Sequence, residues 1–510
     1  MTSKAFEGLK PELVWNYFSD ICEIPRESGN EKAMAEYIEK VGYGHNCEVR
    51  RDDIGNVVIK IPATKGHEDA PVIVIQGHLD MVCEKNKSSN HNFETDPITT
   101  LRDGEWITAD GTTLGADNGI AMAAGLALLD DKEAIHGPVE LFFTVDEESG
   151  MTGVFEMNPS IIEGKTLLNL DSEEDGYLYI GCAGGIDSRI DFDIEYETAP
   201  KGFIPLKLVV NGLKGGHSGV DINLGRGNAI KLLGRAIFAA YDNLEEENVK
   251  LAFFDGGSKR NAIPRESEAL VYIPAEKQEL FKTAISEFEK LVSAELEIQE
   301  PNLAVTVEAF KESGDSNDKN TDTDKITVAE TITATGKVLK KNDSDRLLRF
   351  ISVAPNGVLQ YSAAVEGLVE TSTNLGVANI NKNQVTIVLL TRSSLDTSVK
   401  SVAKSIKCLG DLINADVTQE GGYPGWKPSL SSDVLTTCKE VYQKINNREP
   451  EITAIHAGLE CAILGGKVPG MDMISFGPTI EFPHSPDERI NIKTVENFYN
   501  FTKAVLEALA

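Results

Sequence analysis

The sequence predicts an α/β protein interrupted by a second, inserted domain, on three observations. Short apolar runs at 72–76 (VIVIQ), 139–145 (VELFFTV) and 166–170 (TLLNL) are continuous rather than alternating, as strands covered on both faces are. Between the first two lies NGIAMAAGLALLDD (118–131), whose Ala, Leu and Gly suit a helix packed closely on a sheet. From about Ile186 the texture changes to alternating strands and amphipathic helices, until the turn-rich GGYPGWKPS (421–429) marks a return to the first domain. The expected division is 1–186 and 423–510 for one domain and 187–422 for the insert, within the two to four domains that 510 residues suggest.

In chain order, LVWNYFSDI and EKAMAEYIEKV have apolar positions three and four apart and read as helices, and NVVIKI then turns to strand. In the insert, SRIDFDIEY alternates as a strand, while NAIKLLGRAIFAAYDNL and AEKQELFKTAISEFEKLVSAEL read as amphipathic helices. The acidic GDSNDKNTDTDK (314–325) lacks the central Gly and terminal Glu of a calcium loop and reads as a solvated loop tip. A second strand-and-helix set ends in VTIVLLTRSSLDTSVKSVAKSIKCLGDLI, without a residue-level repeat of the first. After the return come a helix at 434–445, the strand MDMISFG and a closing helix VENFYNFTKAVLEAL.

Bulk properties exclude several function classes. A net charge of −31 repels nucleic acid and anionic membrane surfaces. MTSKAFEGLKPELVW has no basic segment followed by an apolar one, and no run of about 18 apolar residues could span a bilayer. The seven cysteines are scattered, odd in number and free of any CxxC pair, which fits reduced thiols. The expectation is a soluble cytoplasmic protein with a small-molecule partner, as a monomer or a homodimer.

Each strand-like run of the first domain terminates in acid/base or metal-ligating side chains. VIVIQG ends in His78 and Asp80, VELFFTV in Asp146, Glu147 and Glu148, and TLLNL in Asp171, while MDMISFG precedes PTIEFPHSPDE with His484. Ligands in open α/β sheets bind beyond the carboxyl ends of the strands, so these residues can share one rim with Asp117 of LGADNG. Alone, Asp117 reads as a helix N-cap, His78 as a structural histidine, His484 as a surface turn and the acidic triplet as a solvated loop. Together, that many acids on one rim repel each other unless cations lie among them.

Two His, several carboxylates and no cysteine form a nitrogen and oxygen donor set suited to zinc, manganese or cobalt. A pair of catalytic ions needs roughly five ligands and a bridging carboxylate, and His78, Asp117, Glu148, Asp171 and His484 are five. One further carboxylate must stay off the metals as general base, and Glu147 and Glu148 divide those tasks if an extended segment lets them diverge. Asp80, two residues from His78, can hold the imidazole's other N–H and fix its tautomer.

At these residues the chain resembles the zinc metallopeptidase superfamily of aminoacylases, carboxypeptidase G-type enzymes and carnosinases. Within it, IPRESGNEK, GHLDMVCEKN, LGADNGIAMA, TVDEESGMTG, NLDSEEDG, GGHSGVDINLGRGNA, RNAIPRE, TSTNLG, GYPGWKP, HAGLECA and GPTIEFPHSPDE resemble the bacterial aminoacylhistidine dipeptidase, or peptidase D, family along nearly the whole chain. The resemblance implies a zinc-peptidase-like catalytic domain with a central mixed, largely parallel sheet flanked by helices, and an inserted α+β lid domain. It implies two zinc ions, one held by His78, Asp117 and Asp171 and the other by Asp117, Glu148 and His484, with a cis peptide after Asp117. Glu147 would be the general base acting on a metal-bridging water, and Asp80 the orienting acid. From the lid, His217 would polarise the scissile carbonyl, and Asn261 and Arg392 would bind the substrate's backbone or carboxylate. In HAGLECA, Gly458 would let substrate approach the backbone, and His456 and Glu460 would line the terminal-binding pocket.

The implied activity is hydrolysis of dipeptides, including Xaa-His substrates of the carnosine type. The same centre would also serve an N-acyl amino acid deacylase or a broad di- and tripeptidase. A noncatalytic metal-dependent binding protein has no need of an unligated base such as Glu147.

Overall fold

Six consecutive residues, Ile73–His78, form a strand buried at every position, the pattern of a central strand covered on both faces. It pairs in parallel with Val139–Thr144 on one side and Thr166–Asn169 on the other, so that His78 stands level with Thr144 and Gln76 with Asn169. In the computed structural model, which describes residues 4–309 and 336–510, these strands lie near the middle of an eight-stranded mixed sheet. Its order is Glu48–Arg51, Val57–Ile61, Val139–Thr144, Ile73–His78, Thr166–Asn169, Asp472–Ser475, Tyr177–Cys182 and Glu451–Ile455. The first two are antiparallel additions, whereas Asp472–Ser475 joins Thr166–Asn169 in parallel. The carboxyl ends of three central parallel strands therefore share one edge. The acidic segment 314–325 lies outside the described residues.

The chain divides into two units, Met1–Cys182 with Trp426–Ala510, and Ala183–Gly425. In the first, helices Glu12–Cys22, Lys32–Gly44, Ala116–Ala127 and Ile492–Leu509 bury their apolar stripes against the sheet in one large core. The alanines of Ala116–Ala127 leave room for close approach to Ile73–His78 and Glu12–Cys22. Gly77 meets Asn118 and Ala121 of that helix, and a Cβ there would overlap the Asn118 side chain. A smaller four-stranded sheet, Ile480–Glu481, Arg489–Asn491, Trp106–Ala109 and Thr100–Asp103, fixes the segment between the last large-sheet strand and the closing helix.

The second unit is α+β. Its nine-stranded antiparallel sheet runs continuously through both strand-and-helix sets, in the order Ala304–Ala309, Phe203–Asn211, Ser267–Pro274, Lys250–Gly256, Val369–Asn381, Gln384–Ser393, Gly184–Asp193 and Asp416–Tyr423, with Gly357–Tyr361 beside Val369–Asn381. Helices Ala229–Leu244, Gln278–Glu295 and Lys341–Val353 cover it with one core of their own. Asn228 caps the first of these by accepting the Lys231 amide at 3.2 Å. No helix among the described residues is long and apolar enough to cross a membrane.

Candidate metal centre

The five side chains expected to ligate converge at the carboxyl edge of the central strands. His78 Nε2 lies 3.1 Å from Asp117 Oδ1 and 3.4 Å from Asp171 Oδ1. His484 Nε2 lies 3.2 Å from Asp117 Oδ2 and 3.1 Å from Glu148 Oε2. One carboxylate thus presents an oxygen to each of two imidazoles, the disposition of a bridge between two cations. His78, Asp117 and Asp171 form one group whose ligand atoms lie within 4.8 Å of one another, and Asp117, Glu148 and His484 form a second. Glu147 joins His78 and Glu148 in a third group, so the expected base sits beside the expected ligands.

Local structure explains each placement. Asp117 opens the helix Ala116–Ala127 with non-helical torsions (φ −80°, ψ 109°), and the Asp117–Asn118 peptide is cis. Asn118 then donates to the Leu170 carbonyl at 2.9 Å and accepts the His78 amide at 3.3 Å, joining the three segments that present His78, Asp117 and Asp171. His484 has a left-handed backbone (φ 59°), as does Asp146 (φ 55°) immediately before Glu147. Such torsions in residues with a side chain persist where the surroundings over-determine them, and they concentrate at functional sites.

Glu147 and Glu148 do not lie in an extended segment. They begin a single helical turn, Glu147–Gly150, so their divergence comes from helical rotation rather than from strand alternation. Asp80 sets this turn: its carboxylate accepts the amides of Glu147 and Glu148 at 3.1 Å each, the Ser28 hydroxyl at 2.7 Å, and faces His78 Nδ1 at 3.2 Å. One buried acid therefore orients a candidate ligand and anchors the backbone of the candidate base. Burial opposes its ionisation, but His78, Ser28 and the Glu147 amide together bring it down to about 2. Asp146 is committed to its own loop, accepting the Ser149 and Thr152 hydroxyls.

The electrostatics fit a cation-binding centre. Burial pushes Glu147 well above the usual carboxylate range, with the Asp171 and Glu148 charges adding to it. Burial likewise pushes Asp171 up to about 6, whereas hydrogen bonds to Asp117 and Glu148 hold His484 up to about 11. Glu148 Oε1 is buried without a hydrogen-bond partner among the described residues. Crowded carboxylates with an orphaned oxygen, facing imidazole nitrogens at 3.1–3.4 Å, are what divalent cations would satisfy.

Two further residues complete the scaffold, and neither stood out in the sequence. Glu488 collects four successive backbone amides, those of Leu114 at 2.7 Å, Gly115 at 2.9 Å, Ala116 at 2.8 Å and Asp117 at 3.3 Å. Arg26, also buried, donates to the carbonyls of Leu79 at 3.1 Å, Asp80 at 2.5 Å and Gly115. The sole signal for Glu488 was its position four residues beyond His484, and Arg26 lay unremarked in IPRESGNEK.

Within the inserted unit, His217, Asn261 and Arg392 gather around a pair of two-residue strands, Gly216–His217 and Ala262–Ile263. The Ser218 amide donates to the Asn261 carbonyl at 2.9 Å. His217 Nδ1 accepts from the amides of Gly219 and Val220 at 3.3 Å each, and its Nε2 lies 3.5 Å from Nη2 of Arg392. Arg392 is buried, donates to the Tyr423 hydroxyl at 2.8 Å, and has an Nε without a hydrogen-bond partner among the described residues.

The Glu460 side chain is fully buried and accepts from Thr144 at 2.7 Å and from Gln76, in a network that continues to Asn169. Burial pushes it up to about 8. His456 is also buried, and Gly458 stands two residues before the helix Glu460–Lys467.

The model of peptidase family M20/M25/M40 matches residues 74–508. The chain is 40% identical over 501 residues to the cytosol non-specific dipeptidase of Escherichia coli (strain K12), with 98% of each covered. It is similar to the crystal structure of aminoacylhistidine dipeptidase from Vibrio alginolyticus, with 43% identity, TM-score 0.85, and 99% of this chain and 98% of that one covered. A more distant likeness in fold, at 16% identity and TM-score 0.54, extends over 98% of this chain and 99% of aminopeptidase PepT from Bacillus cereus.

Proposed function

Because the chain belongs to peptidase family M20/M25/M40, we propose that it is a metal-dependent dipeptidase that hydrolyses Xaa-His and other dipeptides at a centre of two divalent cations. The observation that carries this reading is Asp117, whose two oxygens face His78 Nε2 at 3.1 Å and His484 Nε2 at 3.2 Å. His78, Asp117 and Asp171 would hold one cation, and Asp117, Glu148 and His484 the other. Bound there, divalent cations lower the pKa of water and polarise a carbonyl oxygen. Zinc suits the donor set, as do manganese and cobalt. Cytoplasmic residence accords with the name of the Escherichia coli relative.

The chain's own residues divide the remaining tasks. Glu147 accepts a proton from the attacking water as its oxygen bonds to the peptide carbonyl carbon. It then returns that proton to the departing nitrogen as the C–N bond breaks, and the second proton of the water passes from the new carboxyl group to the amine, giving a carboxylate and an ammonium. Asp80 fixes the His78 tautomer by accepting from Nδ1, which leaves Nε2 with a lone pair for a cation. His217, beside Nη2 of Arg392, would polarise the oxygen on which negative charge develops. Arg392 and Asn261 receive the carboxylate and backbone of the substrate's second residue, the Arg392 Nε being a donor still to be satisfied.

The test is hydrolysis by the purified chain loaded with one or two equivalents of Zn²⁺ or Mn²⁺, against dipeptides including β-alanyl-histidine, tripeptides and N-acyl amino acids. Cleavage of dipeptides that rises through the second equivalent supports the reading. Full activity in the presence of a strong chelator, or cleavage of none of the dipeptides, ends it.

A further inference from the structure

The turn that carries Asn261 is seated by one side chain of a neighbouring strand. Lys250–Gly256 pairs with Val369–Asn381 at Asp255 and Gly256, which stand level with Asn379 and Ala378. Beyond Gly256 the chain leaves this ladder and turns through 257–261, so its backbone groups need other partners. Asn374, buried within Val369–Asn381, supplies them: its Nδ2 donates to the Arg260 carbonyl at 3.1 Å and to the Ala262 carbonyl at 2.8 Å. The carbonyl between these two, that of Asn261, accepts the Ser218 amide at 2.9 Å. Three successive carbonyls are thereby taken, and Asn261 is held from both flanks. Gly376, two residues beyond Asn374, lets the turn lie against the strand, because a Cβ there would come within 2.8 Å of both Cα and the carbonyl oxygen of Arg260.

Both groups facing Asn374 are acceptors, so its amide must present the NH₂ end to them, and its Oδ1 is left buried without a hydrogen-bond partner among the described residues. A bare buried oxygen is unfavourable, so the contribution of this residue lies in two donors aimed at one turn. On the same strand Ser372 stands level with Arg392, which places Arg392 and Asn374 on one face of the sheet. On the other side of the turn, Ala262 stands level with His217. We infer that Asn374 is a positioning residue that fixes how far Asn261 and His217 stand from Arg392, and so whether the three engage one substrate molecule together. The inference rests on the reading above in which these three residues receive the substrate. Asn374 acts through the backbone of the turn and not on the substrate itself.

The test measures alanyl-alanine hydrolysis and backbone hydrogen exchange on Zn²⁺-loaded wild type, Asn374→Ala and Asn374→Asp, the last keeping the shape of the side chain without either donor. A fall in kcat/KM of roughly 10- to 100-fold is expected in both variants, the effect of moving binding groups by about 1 Å. Metal content should match wild type, since the candidate ligands all belong to the other unit. Exchange should quicken at the Ser218 and Ala262 amides and stay unchanged along Gln384–Ser393, which a general loss of stability would not do. Asn374→Ala should also cost less in an Asn261→Ala background than in wild type, because the two act on one contact. An equal cost in both backgrounds overturns the inference, as does unchanged kcat/KM, unchanged exchange at the two amides, or quickening that extends equally along Gln384–Ser393. Where Asn374→Ala does not fold, Asn374→Ser, too short to reach both carbonyls, is judged by the same measures. Wild type that cleaves no dipeptide sinks the dipeptidase reading, while exchange at Ser218 and Ala262 still decides whether Asn374 holds the turn.

Discussion

Glu488 and Asp117, far apart in sequence, are joined through the backbone: the Glu488 carboxylate accepts the Asp117 amide at 3.3 Å as the last of four successive N–H groups. All four donors point at one acidic side chain, so the loop that delivers Asp117 is held by a negative charge buried behind it. The Thr108 hydroxyl in turn holds the Glu488 carbonyl at 2.9 Å, tying the arrangement to the small sheet. In Glu488→Gln, one oxygen becomes an NH₂ group facing two amides that also donate, and the loop must shift. Metal affinity is expected to fall by ~10- to 100-fold, as for other outer partners of metal ligands. Competition with a chromophoric chelator measures it, and an unchanged affinity would show that the loop holds Asp117 without Glu488.

Asp80 and Glu147 touch, yet their substitutions should separate. Asp80 bonds to His78 and to the amides of Glu147 and Glu148, so Asp80→Asn should weaken metal binding by ~10- to 100-fold and lower turnover as well. Glu147→Gln should retain both metal equivalents and lose ~10²- to 10⁴-fold in turnover. Metal content and kcat measured on the same preparations distinguish the two. Full activity in Glu147→Gln would remove it as the base.

The strand ends were legible in the sequence because each buried run stops abruptly at a side chain that burial disfavours: His78, Asp146 and Asp171 follow apolar stretches directly. What could not be read is what backbone amides decide. Glu488, Arg26 and Ser28 act on peptide groups far along the chain, and no periodicity records which carbonyl or amide a side chain will meet. The same limit explains the error over Glu147 and Glu148, whose one-turn helix depends on the two amides reaching Asp80. Nor does the HAGLECA motif show that Thr144 and Gln76 would meet the Glu460 carboxyl.

Away from the metal centre, His45 gives a stability dependence on pH. Its Nδ1 lies 2.9 Å from the Val41 carbonyl and its Nε2 3.2 Å from Asp130, which also accepts the Tyr17 hydroxyl at 2.6 Å. The Val41 carbonyl, then Asp130, raise its folded pKa above the unfolded value of about 6.5. A raised folded pKa means that the folded state binds the proton more tightly. The contribution is therefore fully present below about 6.5 and is lost as pH rises through the folded value. His45→Gln should cost ~0.2–1 kcal/mol at pH 5.5 and less at pH 8.5, read by urea denaturation at both. A cost that grows with pH would refute the assignment.

His217 offers the sharpest test of the inserted unit, because both of its ring nitrogens face N–H donors. Neutral imidazole has one N–H, and the amides of Gly219 and Val220 both point at Nδ1, each at 3.3 Å. Its Nε2 in turn lies 3.5 Å from Nη2 of Arg392. A role in stabilising developing negative charge predicts a loss of ~10²- to 10³-fold in kcat for His217→Ala, with metal content unchanged. A ground-state binding role predicts a raised KM and unchanged kcat. Near-normal turnover in the alanine variant would take His217 out of the chemistry and leave it as a residue of the short strand Gly216–His217.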